Sequence, residues 1–537
     1  MVERASPRSI LAVDFGSARS HGALIEPVEG VYRLIAHADV PTVRAPYVDL
    51  RESLRLCVAR LEELAERPLL APDGAPLMPQ QGRHGVDALV ATASAAPPLD
   101  CALIGLTGEL SVSGGLAACR ASHAAVRASI ALAQDEAGRR NALAALRAQP
   151  PEVIVLVGGV DGAPTRLLVE AANILATLFA DLAPAQRPAV IMAGNPEARR
   201  PIAQALGDGW DYDIVENVQP ALRAWQPQEL QRELAQRYAR RKLSQLAGYD
   251  ALATWAAVPI LASDAGAGTI LQLLSRQEGA GRRVLGLDVG ASQATAALAT
   301  EGYTWSRRAR AGAAHDLPTG ADPWTQYVAA QEALAAALGD LARLLGESPE
   351  EGWGVDLIAA RGGALVHAGG APWATALWAA LAMLDAVQPH GVTHLALDGA
   401  SVWPQLGALA QIEPLAALQV LRRDGLLELG AALSLPGQGR AGQRAGRLRL
   451  TPEAGEAVEI EIAWGGLQRL SLPQGAKAAL AFEPAPHTGL EPIPAGRVIV
   501  RGGSLGLIVD ARGRPLALPE EPGERRRVVE AWAEGIA

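Results

Sequence analysis

Residues 10–26, ILAVDFGSARSHGALIE, run apolar, break at Asp14-Phe15-Gly16-Ser17 and run apolar again, which predicts a strand, a tight turn and a return strand. A third apolar strand is expected at 31–37. Over 50–67, Leu50, Leu54, Val58, Leu61 and Leu64 recur at helical spacing and predict an amphipathic helix, followed by a Pro/Gly-rich connector at 68–86. Short apolar runs at 87–92, 101–106, 152–157 and 188–193 then alternate with Ala-rich helical stretches at 116–148 and 166–180. Helical character returns at 228–247. Strands and helices that alternate in this way predict an α/β architecture.

The opening pattern returns at 284–299, VLGLDVGASQATAALA: an apolar strand, Asp-x-Gly, a small hydroxyl residue, and a second apolar strand. Each copy is followed later by a strand that ends in paired glycines, VIVLVGGVDG after the first and LIAARGGALVHAG after the second. We read this as a diverged internal duplication, with a first lobe at 1–250 and a second at 251–440. From about 441 the pattern becomes mostly alternating and strand-like, with little helix until 525–535, and predicts a small, separable β-rich domain at 441–537.

Composition narrows the classes. The 537 residues are 49% hydrophobic and 20% charged, with a net charge of −9, which suits a folded protein and argues against nucleic-acid or anionic-membrane partners. Cys57, Cys101 and Cys119 form no CxxC, so neither a disulfide framework nor a zinc site is expected. No apolar run suits a cleavable leader or a membrane span, and a cytoplasmic protein is expected. Lys242 and Lys477 are the only lysines, so any phosphate-binding cation elsewhere must be Arg or His.

A lone Asp-x-Gly turn reads first as a surface hairpin; two copies, each followed by a strand that ends in paired glycines, favour a phosphate-binding loop. Gly removes the Cβ, Ser adds a hydroxyl, and successive backbone N–H groups face the anion. The acid beside that anion would repel it unless a divalent ion lay between them, and Mg²⁺ suits that place. The nucleotide-binding candidates are therefore Asp14, Gly16, Ser17, Asp288, Gly290 and Ser292, with Asp14 and Asp288 as metal ligands. Gly362 and Gly363, at a strand-to-helix junction, are candidates to admit phosphate or ribose. His367 is a weaker candidate for the same neighbourhood.

The duplicated pattern resembles the superfamily of actin, sugar kinases and the large heat-shock chaperone ATPases. Its members clamp Mg-ATP between two duplicated RNase-H-like domains. A narrower resemblance, carried by LAVDFGSARSHGAL, IVLVGGVDGAPTRLLVEAANILA, VIMAGNPEA, VENVQP, the long block from Arg361 to Leu409 and RRDGLLELGAALSLP, is to the MutL family associated with glutamate mutase. The resemblance implies two actin-like ATPase lobes, ATP and Mg²⁺ as ligands, and a chaperone or reactivating role toward an adenosylcobalamin-dependent aminomutase. The chain departs from the family pattern at His21, where a Lys is usual, and at Ala291 and Thr295, where Gly and Asp are usual. Losing a cation and an acid removes transition-state stabilisation, so at most slow ATP hydrolysis is expected. A small-molecule kinase of the same superfamily and a degenerate scaffold that needs no nucleotide are the alternatives.

Overall fold

The computed structural model describes residues 6–537 apart from 45–46, 121, 135, 223, 278–280, 301–302, 311–316, 318–320, 346–352 and 367–371, so His367 lies outside the described residues. The chain opens with β1 (Ile10–Phe15), β2 (Arg19–Val28), β3 (Val31–Pro41) and β4 (Ala88–Ala93). Every residue of β1 and of β4 is buried, so these central strands read as unbroken apolar runs rather than alternating ones. The helix Leu50–Ala65 packs across them; Asp49 caps it by accepting from the backbone N–H groups of Arg51 and Glu52, and a left-handed Glu66 ends it.

Before this sheet is complete, the chain builds β5 (Leu99–Gly105), β6 (Ala124–Ala131), β7 (Val153–Val157), β8 (Ala189–Met192) and β9 (Tyr212–Ile214). They form a separate, all-parallel sheet of order β6-β5-β7-β8-β9. The two-residue β10 (Leu261–Ala262) then returns to complete the first sheet, in the order β10-β4-β1-β2-β3. Next come β11 (Val284–Val289), β12 (Gln293–Thr300), β13 (Tyr303–Arg310), β14 (Leu357–Arg361) and β15 (Gly391–Leu397), ordered β13-β12-β11-β14-β15. Both sheets place an antiparallel triplet beside two parallel strands, in the same sequence of pairings. This is the duplicated RNase-H-like arrangement of an actin-like ATPase fold.

Two expectations about the duplication need correction. The first lobe, expected at 1–250, carries an inserted parallel unit, and the last strand of its sheet, β10, lies beyond residue 250. The Gly-Gly strand of the first copy, β7, therefore belongs to the inserted unit; the partner of β14 is β4, which ends in Thr92-Ala93 without glycines.

The C-terminal region is β-rich but not separable. β16 (Leu427–Ser434) runs antiparallel to β15, and the chain then forms β17 (Arg444–Pro452), β18 (Val458–Ala463), β19 (Leu467–Leu470), β20 (Lys477–Pro484), β21 (Ile493–Arg501) and β22 (Gly506–Asp510). Only β18-β17-β20-β21 make a sheet of their own; β22 and β19 extend the second lobe's sheet to eight strands. A buried ion network explains why this boundary fails. Arg512 donates to both Asp385 and Asp510, at 2.6 and 2.8 Å, and Arg514 reaches Asp510 at 2.6 Å. Tyr327 donates to Asp385 at 2.7 Å, and the indole of Trp532 lies 4.5 Å from the Arg512 guanidinium. These charges are satisfied only when the C-terminal strand sits against the helices of the second lobe.

Besides a core in each lobe, one apolar cluster spans the two. Ile10, Ala12 and Ile25 of the first sheet pack with Val284, Ala299, Trp403 and Leu406 of the second half. The helices Ser263–Ser275 and Trp403–Leu409 cross here at backbone contact: a Cβ on Gly407 would lie 2.0 Å from the Gly266 carbonyl oxygen, and one on Gly266 would lie 2.3 Å from that of Pro404. Among the described residues, no helix is long and apolar enough to cross a membrane.

Replacing Arg512 by Leu would leave Asp385 and Asp510 buried without their cation. We expect a loss of about 3–5 kcal/mol, read as a lower urea midpoint for the whole chain. An unchanged midpoint would show that the C-terminal strands are not part of the cooperative unit.

Candidate functional site

Strand register brings the two duplicated acids to one place. Asp14 pairs across the first sheet with Thr92 on β4 and His21 on β2. Asp288 pairs in the second sheet with Arg361 on β14 and Thr295 on β12. Arg361 and Thr92 thus hold equivalent positions in the two lobes, and they differ in charge.

The Arg361 guanidinium occupies the space between the acids. Its Nη1 donates to Asp288 Oδ2 at 2.9 Å, its Nη2 lies 3.8 Å from Asp14 Oδ2, and its Nε lies 3.9 Å from Asp398 Oδ2. Asp14 is buried, and its other oxygen accepts from the hydroxyls of Thr92 at 2.7 Å and Ser263 at 2.5 Å. Asp398 is also buried and caps the helix Trp403–Leu409, accepting from the N–H groups of Val402 and Trp403 at 2.8 and 3.0 Å. Burial opposes the charge on Arg361, but the three carboxylates outweigh it and its pKa is raised. Burial lifts the Asp398 carboxyl to about 6 despite Arg361, and desolvation raises that of Asp288 as well.

The candidate loops serve their own hairpins first. The Gly16 N–H donates to the Arg19 carbonyl at 2.9 Å, and the Gly290 N–H to the Gln293 carbonyl at 3.0 Å. A Cβ on Gly16 would lie 2.6 Å from the Arg19 carbonyl oxygen, so closure of the turn alone requires glycine there. Ser17 is half-buried and Ser292 exposed at the two turn tips. Gly362, at φ +95°, sits where a Cβ would meet the Val289 carbonyl at 2.5 Å and Asp288 Oδ1 at 2.7 Å. Its close approach to β11 is therefore a packing demand. Gly363 begins a helix whose described part is Gly363–Val366.

Beside the cluster lies a cavity of about 530 Å³, bounded by Asp288, Arg361, Thr295, Ser306, Asp264 and Gln236 among others. This volume falls within the range of small-molecule sites. None of the candidate glycines lines it. His123 and Asp264 do line it. Arg308, opposite Thr295 on β13, is ion-paired with Asp264, whose Oδ1 is 2.9 Å from Nδ1 of the buried His123. Burial drives the His123 pKa well down, with Arg308 adding to the effect, so the ring is neutral at pH 7. Tyr238 stacks on it at 4.4 Å. His123 and Tyr238 belong to the inserted unit, which thereby packs against the second lobe.

Sequence reading located both acids but missed Arg361, Asp398, Thr92, Ser263 and the His123–Asp264–Arg308 group. One signal was present for Arg361: it immediately precedes the Gly362-Gly363 pair, in a chain almost without lysine.

A duplicated RNase-H-like fold with two Asp-bearing hairpins at one cluster defines an actin-like ATPase architecture. The chain belongs to the MutL protein family, the glutamate mutase-associated family, whose model matches residues 10–316. No curated protein matches the chain. Among solved structures, it is similar to a nucleotide-free acetone carboxylase at 12% identity, with 85% of this chain and 81% of that one covered and a TM-score of 0.34. It is also similar to an inorganic polyphosphate/ATP-glucomannokinase from Arthrobacter sp. strain KM (12% identity, 75% and 99% covered, TM-score 0.26). A xylulose kinase from Bifidobacterium adolescentis gives 12% identity, 80% and 97% coverage and a TM-score of 0.27. These overlaps are loose.

Asp398 supplies a pH test. The folded chain holds its proton up to about pH 6, whereas an ordinary Asp releases it near 3.8. Its contribution is therefore fully present below about pH 4 and is lost as pH rises through about 6. Denaturant titrations of the natural protein and of Asp398→Asn should show the natural protein losing stability relative to the variant across that interval. A difference that does not change with pH would contradict the assignment.

Proposed function

We propose that this protein is a nucleotide-responsive accessory factor for an adenosylcobalamin-dependent mutase of the glutamate mutase type, with ATP as its ligand. The observation that carries the reading is the meeting of two Asp-x-Gly hairpins, one from each duplicated lobe, beside a ligand-sized cavity. Family membership supports the mutase as partner. Arg361 Nε makes no hydrogen bond among the described residues, so the cluster still has a buried donor to offer an acceptor atom.

The phosphates of such a ligand would meet the turn tips at Ser17 and Ser292. The cluster itself, with three carboxylates against one guanidinium, does not attract them. Mg²⁺ does not fit between Asp14 and Asp288 as they stand, because Arg361 fills that space and two hydroxyls already occupy Asp14. Among the described residues, no three His, Cys, Asp or Glu side chains are arranged to hold a metal ion.

Calorimetric titration with ATP tests the binding claim. Ala265 is exposed at the cavity wall on the helix Ser263–Ser275, so Ala265→Trp should obstruct the cavity without disturbing the core. We expect saturable ATP binding to the natural protein and at least a tenfold loss in the variant. With a purified mutase inactivated by turnover, ATP and this protein together should restore activity that neither restores alone. No ATP binding at millimolar concentration would favour the scaffold reading instead.

A further inference from the structure

We infer that Arg361 is the resident cation of this site, excluding a divalent ion from between Asp14 and Asp288. The inference deepens the nucleotide reading above and rests on it only for its consequence for ATP. It starts from the mismatch between what two facing aspartates would ordinarily hold and what stands between them here.

Three features make the guanidinium a fixture. Arg361 is the last residue of β14, and its backbone is registered directly against Asp288, so its side chain starts from a rigid central strand. Gly362 allows the chain after it to press onto β11, bringing Asp288 close. The side chain is nearly enclosed, at 12% exposed, with carboxylates from three separate strand ends around it. Moving the guanidinium out would leave Asp14, which is 3% exposed, and Asp398, which is fully buried, facing each other without a counter-charge. Leaving buried carboxylates uncompensated is strongly unfavourable. A hydrated Mg²⁺ gives up its waters reluctantly, so it is a poor replacement for the guanidinium in so enclosed a place. The equivalent position in the first lobe, Thr92, is neutral, so a single cation serves both acids.

For the ligand, the consequence is that Asp14 and Asp288 contribute nothing through a metal, and ATP affinity does not depend on Mg²⁺ through them. Asp288→Asn should therefore affect Mg-ATP and metal-free ATP equally, rather than weakening Mg-ATP more as a metal-binding role would require.

The test uses manganese as a paramagnetic probe, with no nucleotide present. The natural protein should leave the free Mn²⁺ signal unchanged at equimolar concentration. Arg361→Gln removes the charge and should create one Mn²⁺ site per chain, which is lost again in Arg361→Gln/Asp288→Asn. Should the Gln variant not fold, the natural protein still decides the matter: stoichiometric Mn²⁺ uptake that Asp288→Asn abolishes would overturn the inference. In a second arm, ATP is titrated into the natural protein in magnesium and in EDTA. Affinities within threefold support the inference. Binding that requires magnesium and disappears in Asp288→Asn overturns it while leaving the nucleotide reading in place. Absence of ATP binding under both conditions overturns the nucleotide reading, and the manganese result alone then decides the role of Arg361.

Discussion

One buried guanidinium organises the junction of the two lobes. Arg361 sits on the second sheet, yet it is ion-paired with Asp14 of the first, Asp288 of its own sheet and the Asp398 cap of the helix that crosses the interface. Carboxylates taken out of water at this density would otherwise repel one another and force the strand ends apart. The strand register, the helix cap and the glycine after Arg361 all serve to bring acid and base within reach. The duplicated fold therefore closes on a protein-borne charge.

That closure agrees with the rest of the interface. The Gly266 and Gly407 backbones touch, so the two central helices cross with no side chain between them, and apolar residues of both lobes form one cluster at the crossing. The inserted parallel unit adds a further restraint, because His123, stacked on Tyr238, meets Asp264, which is itself paired with Arg308 of the second lobe. The C-terminal strands are tied in by Arg512 and Asp510 in the same way that the lobes are tied by Arg361. In both places a buried charge network specifies which surfaces meet, and a local fit of apolar groups supplies the area.

The α/β class, the duplication and both hairpins were legible because strand–Asp-x-Gly–strand is a local pattern with a strong period. The position of Asp14 opposite Asp288 followed from the duplication. One local element was misread, since β6 lies within the Ala-rich stretch 116–148 expected to be helical; the rest of what could not be read was long-range. Nothing local marks β4 rather than β7 as the partner of β14, because both are short apolar runs and only the inserted sheet separates their roles. The C-terminal boundary failed for a similar reason: β19 and β22 look like their neighbours, and their membership of the large sheet depends on Arg512 and Asp385, 127 positions apart. Gly16 and Gly362 stand out in the sequence, and the hairpin's own carbonyl and the adjacent strand each require glycine there. Arg361 was hidden because two acids near an expected phosphate suggest a metal, and the competing cation lay one residue before a pair of glycines already noticed.

The most direct measurement is a double-mutant cycle between Asp14 and Arg361, which lie in different lobes. Unfolding free energies would be measured for the natural protein, Asp14→Asn, Arg361→Met and the pair. If the guanidinium links the lobes through Asp14, the double variant should lose less stability than the sum of the singles, by at least about 1 kcal/mol. Single losses that simply add, within about 0.3 kcal/mol, would show that the two lobes meet without help from this charge and would contradict its organising role.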